Sequence, residues 1–98
     1  MGQGFEDGAP EHGARFRLAR IEARGDHARY EVEVLGPTGT ARCTAALRPG
    51  QVDVGPFEGS IEPWAQEVAI GFLKVLARSY DADEGWPREL RRWRAAKG

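Results

Sequence analysis

The stretch ARFRLARIEARGDHARYEVEVL, residues 14–35, decides the fold. Gly25-Asp26 at its centre reads as a two-residue hairpin loop, because glycine takes a positive φ freely and aspartate tolerates the second position. Setting Arg24 opposite His27 pairs Ala23 with Ala28, Glu22 with Arg29, Ile21 with Tyr30 and Arg20 with Glu31. Opposite charges then share one face and apolar pairs the other, which stabilises adjacent strands. Further back the alternation slips: Phe16 and Leu18 are even-numbered, whereas Ala19, Ile21 and Ala23 are odd. One extra residue near Leu18-Ala19, opposing Val32, repairs the slip and sets Arg17 against Glu33 and Phe16 against Val34. A β-bulge is expected there.

Working outward, Gly36-Pro37-Thr38-Gly39 makes the next turn. A third strand then pairs Ala41 with Val34, Arg42 with Glu33, Cys43 with Val32, Ala45 with Tyr30 and Leu47 with Ala28. Arg48-Pro49-Gly50-Gln51 has Pro and Gly at its two central positions, the type II pattern, and sets Val52 against Leu47 and Val54 against Ala45. Four strands follow, over 15–24, 27–35, 40–48 and 51–55. Ala41, Cys43 and Ala45 offer small side chains to the core at the sheet centre and leave room for a bulky element.

That element is a helix starting after Glu62-Pro63, since proline suits the first helical position, with Ser60 as its cap. Ile61, Trp64, Ala65, Val68, Phe72, Val75 and Leu76 recur at helical spacing, and Ile70, Leu73, Ala77 and Tyr80 make a second stripe beside them. The apolar arc covers on the order of two-thirds of the helix, more than one sheet covers, so a second partner is expected. Trp86, Leu90 and Trp93 are candidates, on a short helix opened by Pro87 and reached through the loop Asp81–Gly85, whose acids would cap it. The expected fold is α+β: a four-stranded antiparallel meander sheet with one face covered by a long helix, followed by a short C-terminal helix. Residues 14–98 form one domain, and the Gly-rich, acidic 1–13 is read as a disordered tail.

The near-neutral charge of −1 conceals an uneven spread: 1–13 and 81–85 each contribute −3, 14–24 contributes +3 and 86–98 contributes +4. Twelve of the fourteen basic residues are arginine, read mainly as the codon bias of a GC-rich bacterial genome. No apolar run approaches the roughly 20 residues of a membrane span, and no secretory leader is evident, so a cytoplasmic protein is expected. The single Cys43 cannot form an internal bridge and points inward, as a small hydrophobe does.

Motifs for chemistry are weak. Asp81-Ala82-Asp83-Glu84-Gly85 resembles the opening of a calcium loop, but Gly85, Trp86 and Arg92 stand where such a loop needs a ligand, a glycine and a glutamate. His12, His27 and Cys43 make no metal set, and Ser60 and Ser79 lack a neighbouring base. Glu22, Glu31 and Glu33 each face an arginine, which holds them ionised and poorly suited to acid–base work. Neither an enzymatic activity nor a cofactor is therefore expected.

Two functional expectations follow. The first is a small non-enzymatic protein-interaction or assembly module, a homodimer or a component of a larger complex. It rests on the wide apolar arc and the Trp-rich C-terminal third, with Ile70, Leu73, Tyr80, Trp86 and Trp93 as interface residues. The alternative is nucleic-acid binding through a basic C-terminal helix bearing Arg88, Arg91, Arg92, Arg94 and Lys97. Four strands followed by a helix resemble, in topology alone, some single-stranded nucleic-acid-binding folds, the PUR type among them.

Overall fold

The computed structural model of the protein describes residues 13–95. In chain order the elements are β1 (Ala14–Arg24), β2 (His27–Leu35), β3 (Thr40–Arg48), β4 (Gln51–Val54), β5 (Glu58–Gly59), α1 (Pro63–Arg78) and β6 (Glu89–Arg94). The strands form one six-stranded antiparallel sheet in the order β4-β3-β2-β1-β6, with β5 also paired to β3. This corrects the expected architecture on two points: the sheet has six strands instead of four, and the expected C-terminal helix is the strand β6. Among the described residues no helix is long and apolar enough to cross a membrane. The expected tail, apart from Gly13, lies outside the described residues.

The meander follows the pattern of charge and apolar residues. Val34 faces Ala41, Glu33 faces Arg42, Val32 faces Cys43, Tyr30 faces Ala45 and Ala28 faces Leu47. Leu47 faces Val52 and Ala45 faces Val54. Gly25 and Gly50 supply the two turns with φ of +61° and +76°, values an L side chain adopts only at a cost.

The bulge exists, but not at Leu18-Ala19. Register shifts between Arg20 and Glu22, so Ile21 is the extra residue, and the expected pairs Ile21–Tyr30 and Arg20–Glu31 give way to Arg20–Tyr30 and Ala19–Glu31. The reason is packing. Leu18 and Val32, both 0% exposed, oppose each other in the core, which keeps β1 and β2 in phase up to Arg20. Arg20 then turns its guanidinium to the Trp86 carbonyl at 2.7 Å, and Ile21 is displaced to the surface.

Helix α1 begins at Pro63 as expected, yet Glu62 holds the cap position and no side chain caps it. Ser60 is therefore no cap; its N–H donates to the Thr40 carbonyl at 3.0 Å and ties the loop to β3. The helix buries Ala65, Ala69, Leu73, Leu76 and Ala77, a face running between the two expected stripes. Its three alanines join the buried Cys43 and Ala45 of β3 in one core, small residues that permit close approach of helix to sheet. Half-buried Val52, Val54, Phe57, Trp64, Val68, Phe72, Tyr80 and Leu90 surround that core. The sheet and its flanking loops thus cover much of the arc for which a second helix was expected.

Beyond α1 the acidic loop is a tight turn. The Asp83 N–H donates to Asp81 Oδ1 at 2.8 Å, and the Gly85 N–H donates to the Asp81 carbonyl at 2.7 Å. These acids cap no following helix; Asp81 closes its own turn and delivers Trp86 into the core. Trp86 is buried against Tyr80 at 4.6 Å and edge-on to Tyr30 at 6.4 Å between ring centroids.

Candidate functional site

Three bonds draw the chain after Trp86 alongside β1. The buried Tyr30 hydroxyl donates to the Pro87 carbonyl, Arg20 donates to the Trp86 carbonyl, and the Arg20 N–H donates to the Arg88 carbonyl at 2.9 Å. Residues 89–94 are mostly good helix formers, but so short a helix is marginal by itself. The open flank of β1 offers a full antiparallel ladder instead: Ala19 faces Glu89, Leu18 faces Leu90, Arg17 faces Arg91, Phe16 faces Arg92, Arg15 faces Trp93 and Ala14 faces Arg94.

That register sets Arg17 directly against Arg91, a repulsive pair in isolation. Glu89 resolves it. Its Oε2 accepts from Arg17 Nε at 2.6 Å and from Arg91 Nε at 2.9 Å. Arg17 also reaches Glu33 at 3.2 Å, Glu33 reaches Arg42 at 3.2 Å, and Arg42 lies 4.0 Å from Glu31. A chain of alternating charges thus crosses β6, β1, β2 and β3 on the sheet face opposite the helix. The bond from Arg17, then that from Arg91, holds the Glu89 carboxyl below the ordinary glutamate range, and Glu89 and Glu33 raise Arg17 in turn. This face also holds an open hollow of about 710 Å3, lined by Arg15, Arg17, Glu33, Arg42, Glu58 and Arg91 among others. Arg17, Glu33 and Arg42 are engaged with one another there, and Arg91 with Glu89.

The other long flank of β6 is different. Among the described residues β6 ends the sheet, and no strand lies beyond it. Because Arg20 and Arg88 form a hydrogen-bonded pair, the alternation of an antiparallel ladder points the N–H and C=O groups of Glu89, Arg91 and Trp93 away from β1. The Arg91 carbonyl fits this pattern, since it accepts a bond at 2.8 Å from the neighbouring Arg92 guanidinium. The edge is roughly 20 Å long at about 3.3 Å per residue. Arg88, Arg91, Arg92 and Arg94 are exposed along it, against one glutamate.

The two faces of the edge carry different side chains. Glu89, Arg91 and Trp93 share the outer face with Arg17, while Leu90, Arg92 and Arg94 share the helix side with Phe16 and Leu18. Arg94 stacks over the Phe72 ring at 5.2 Å. Between β6 and the C-terminal half of α1 runs a groove of about 420 Å3, lined by Leu18, Phe72, Val75, Leu76 and Leu90 and by the charged Asp81, Glu84 and Arg92. Val75 stands 54% exposed beside it, and Trp93 is 52% exposed on the opposite face.

The expected interface residues are therefore dispersed. Leu73 and Trp86 are inside the core, Ile70 and Tyr80 are half-buried, and Trp93 alone of the five is exposed. The expected basic cluster stays together on β6 and the residue before it, except Lys97, which lies outside the described residues. Spacing of Trp86, Leu90 and Trp93 suggested one helical side; on the strand, Leu90 and Trp93 point to opposite faces. Glu89 and Val75 were missed. The surplus of arginine in 14–24 was the available signal that β1 needs an acid beyond β2. Comparison with known proteins finds no matching family model, no matching curated protein and no matching solved structure.

Proposed function

We propose that the protein is a non-enzymatic interaction module that takes up a segment of a partner protein as an added strand along β6. The observation that carries this reading is the edge itself: six residues long, unpaired by any strand among the described residues, with the backbone groups of Glu89, Arg91 and Trp93 turned outward, the Arg91 carbonyl held only by the Arg92 side chain, and apolar surface exposed at Trp93 and Val75. Strand addition uses such an edge, with main-chain bonds supplying affinity and alternate side chains supplying specificity. The non-enzymatic part is supported by the state of the ionisable groups. Glu33 and Glu89 are held by arginines, and burial pushes the Cys43 thiol up to about 11 and the Tyr30 hydroxyl up to about 12.

Self-pairing through this edge is disfavoured. The antiparallel register that uses all three outward residues sets Arg91 against Arg91 of a second copy, and like charges directly opposite destabilise a strand pair. Arginines on an edge guard it against its own kind. The partner is then a different chain. The substitution Arg91→Pro removes one outward donor and the Arg91 side chain but no bond of the β1–β6 ladder, since proline is tolerated on edges, and Arg91→Ala, which keeps the N–H, separates the two losses. Peptides selected from a random display library on the native protein are expected to lose binding to the Arg91→Pro variant while its urea midpoint stays near native. Undiminished binding would reject strand addition.

Nucleic-acid binding is a second reading, favoured by four arginines and an exposed tryptophan on one edge. It rests on a strand, not on the helix expected from sequence. Fluorescence anisotropy with labelled single- and double-stranded oligonucleotides would then show affinity falling steeply with salt and lost when Arg91, Arg92 and Arg94 become Glu. No binding at low salt removes this reading.

A further inference from the structure

We infer that the segment β6 accepts is acidic, with two adjacent carboxylates flanked by apolar residues, the pattern apolar-acid-acid-apolar. The inference rests on the strand-addition reading and specifies its ligand. Residues opposite one another on neighbouring strands point to the same face, so each β6 side chain selects what stands across from it. Arg91 on the outer face and Arg92 on the helix side are consecutive, and each asks for a carboxylate. Leu90 and Trp93 flank them, and each asks for an apolar side chain.

The residue opposite Leu90 projects over the groove of about 420 Å3 and covers Phe72, Val75 and Leu76. The residue opposite Trp93 lies against its half-exposed ring on the other face. The order Leu90-Arg91-Arg92-Trp93 is symmetric in chemical type, so the matching pattern is the same for a parallel or an antiparallel partner. Arg91 keeps its two terminal nitrogens for the ligand, since its bond to Glu89 uses Nε. Arg92 lies along the edge through its bond to the Arg91 carbonyl, and an incoming strand that pairs with this oxygen draws the guanidinium from it onto a carboxylate.

The test uses the full chain and fluorescein-labelled six-residue peptides, acetylated and amidated. The probe has the sequence Thr-Val-Glu-Glu-Val-Thr; one control has the order Thr-Glu-Val-Val-Glu-Thr, and another has Lys-Lys at the centre. The probe is expected to bind about tenfold or more tightly than either control. The Arg91→Glu, Arg92→Glu double variant, both sites being exposed, is expected to reverse the preference and favour the Lys-Lys peptide. Equal binding of the probe and the reordered control would overturn the inference, because charge without register would then explain affinity. Library peptides of other composition, blocked by Arg91→Pro, would overturn the acidic pattern and leave strand addition standing. Probe binding indifferent to Arg91→Pro would overturn both.

Discussion

Tyr30 is 0% exposed, and its hydroxyl donates to the carbonyl of Pro87, 57 residues away in the chain. Burial pushes its pKa up to about 12, so the hydroxyl keeps its proton and remains a donor throughout the physiological range. Tyr30→Phe leaves the Pro87 carbonyl without that donor and is expected to cost about 1–2 kcal/mol in urea unfolding. A change below a few tenths would mean that this bond does not hold the approach to β6. Cys43 makes the corresponding statement for the other side of the core. Its thiol, buried and pushed up to about 11, is expected to ignore Ellman's reagent at pH 8 in the native protein and to react once denaturant is added. The core positions of both residues were legible from strand parity. The Tyr30 bond was not, because parity says which face a side chain takes and nothing about a distant backbone oxygen.

Among the elements, β1 to β4 and α1 were legible because their pairing is local: each turn names its own register, and Pro63 marks the helix start. β6 was not, for a physical reason. As an edge strand at the margin of the helix it has one apolar residue on its inner side, Leu90, while Arg92 and Arg94 occupy the other inner positions. No alternation survives, and accidental spacing of Trp86, Leu90 and Trp93 imitates a helix. The bulge shows a subtler version: sequence revealed that a slip occurs, but its position depends on the Trp86 carbonyl that Arg20 must reach. Glu89 gives the test of this element. Its lowered pKa means that its contribution is fully present above the ordinary glutamate value of about 4.3 and is lost as pH falls through the lower folded value. Glu89→Gln leaves Arg17 and Arg91 facing each other with less to separate them. The wild type is expected to be more stable than this variant from pH 5.5 to 7, with the gap closing below about pH 4. A gap unchanged down to pH 2 would remove Glu89 from the β1–β6 contact.

At the scale of the molecule, the sheet formed by the described residues is covered on one flank and open on the other. The short β4 and β5 and the α1 contacts finish one flank, while β6 leaves the other flank, among the described residues, as a basic backbone edge beside a groove of mixed apolar and charged lining. Sequence pointed to the arginines of the C-terminal segment and to Trp93, which the structure keeps together on and beside β6, but it attached them to a helix. The wide apolar arc of α1, which suggested a dimer, is largely consumed by the protein's own sheet and by Trp86. What remains exposed lies next to β6.

The most direct measurement is amide hydrogen exchange across β6, read residue by residue by NMR, in the free protein and with the Val-Glu-Glu-Val peptide. In the free protein the amides of Leu90, Arg92 and Arg94 are expected to exchange slowly and those of Glu89, Arg91 and Trp93 quickly. With peptide bound, those three are expected to slow as they find acceptors. Uniform protection across all six residues in the free protein, or no slowing at Glu89, Arg91 and Trp93 on saturation with the peptide, would contradict a free edge that binds by strand addition.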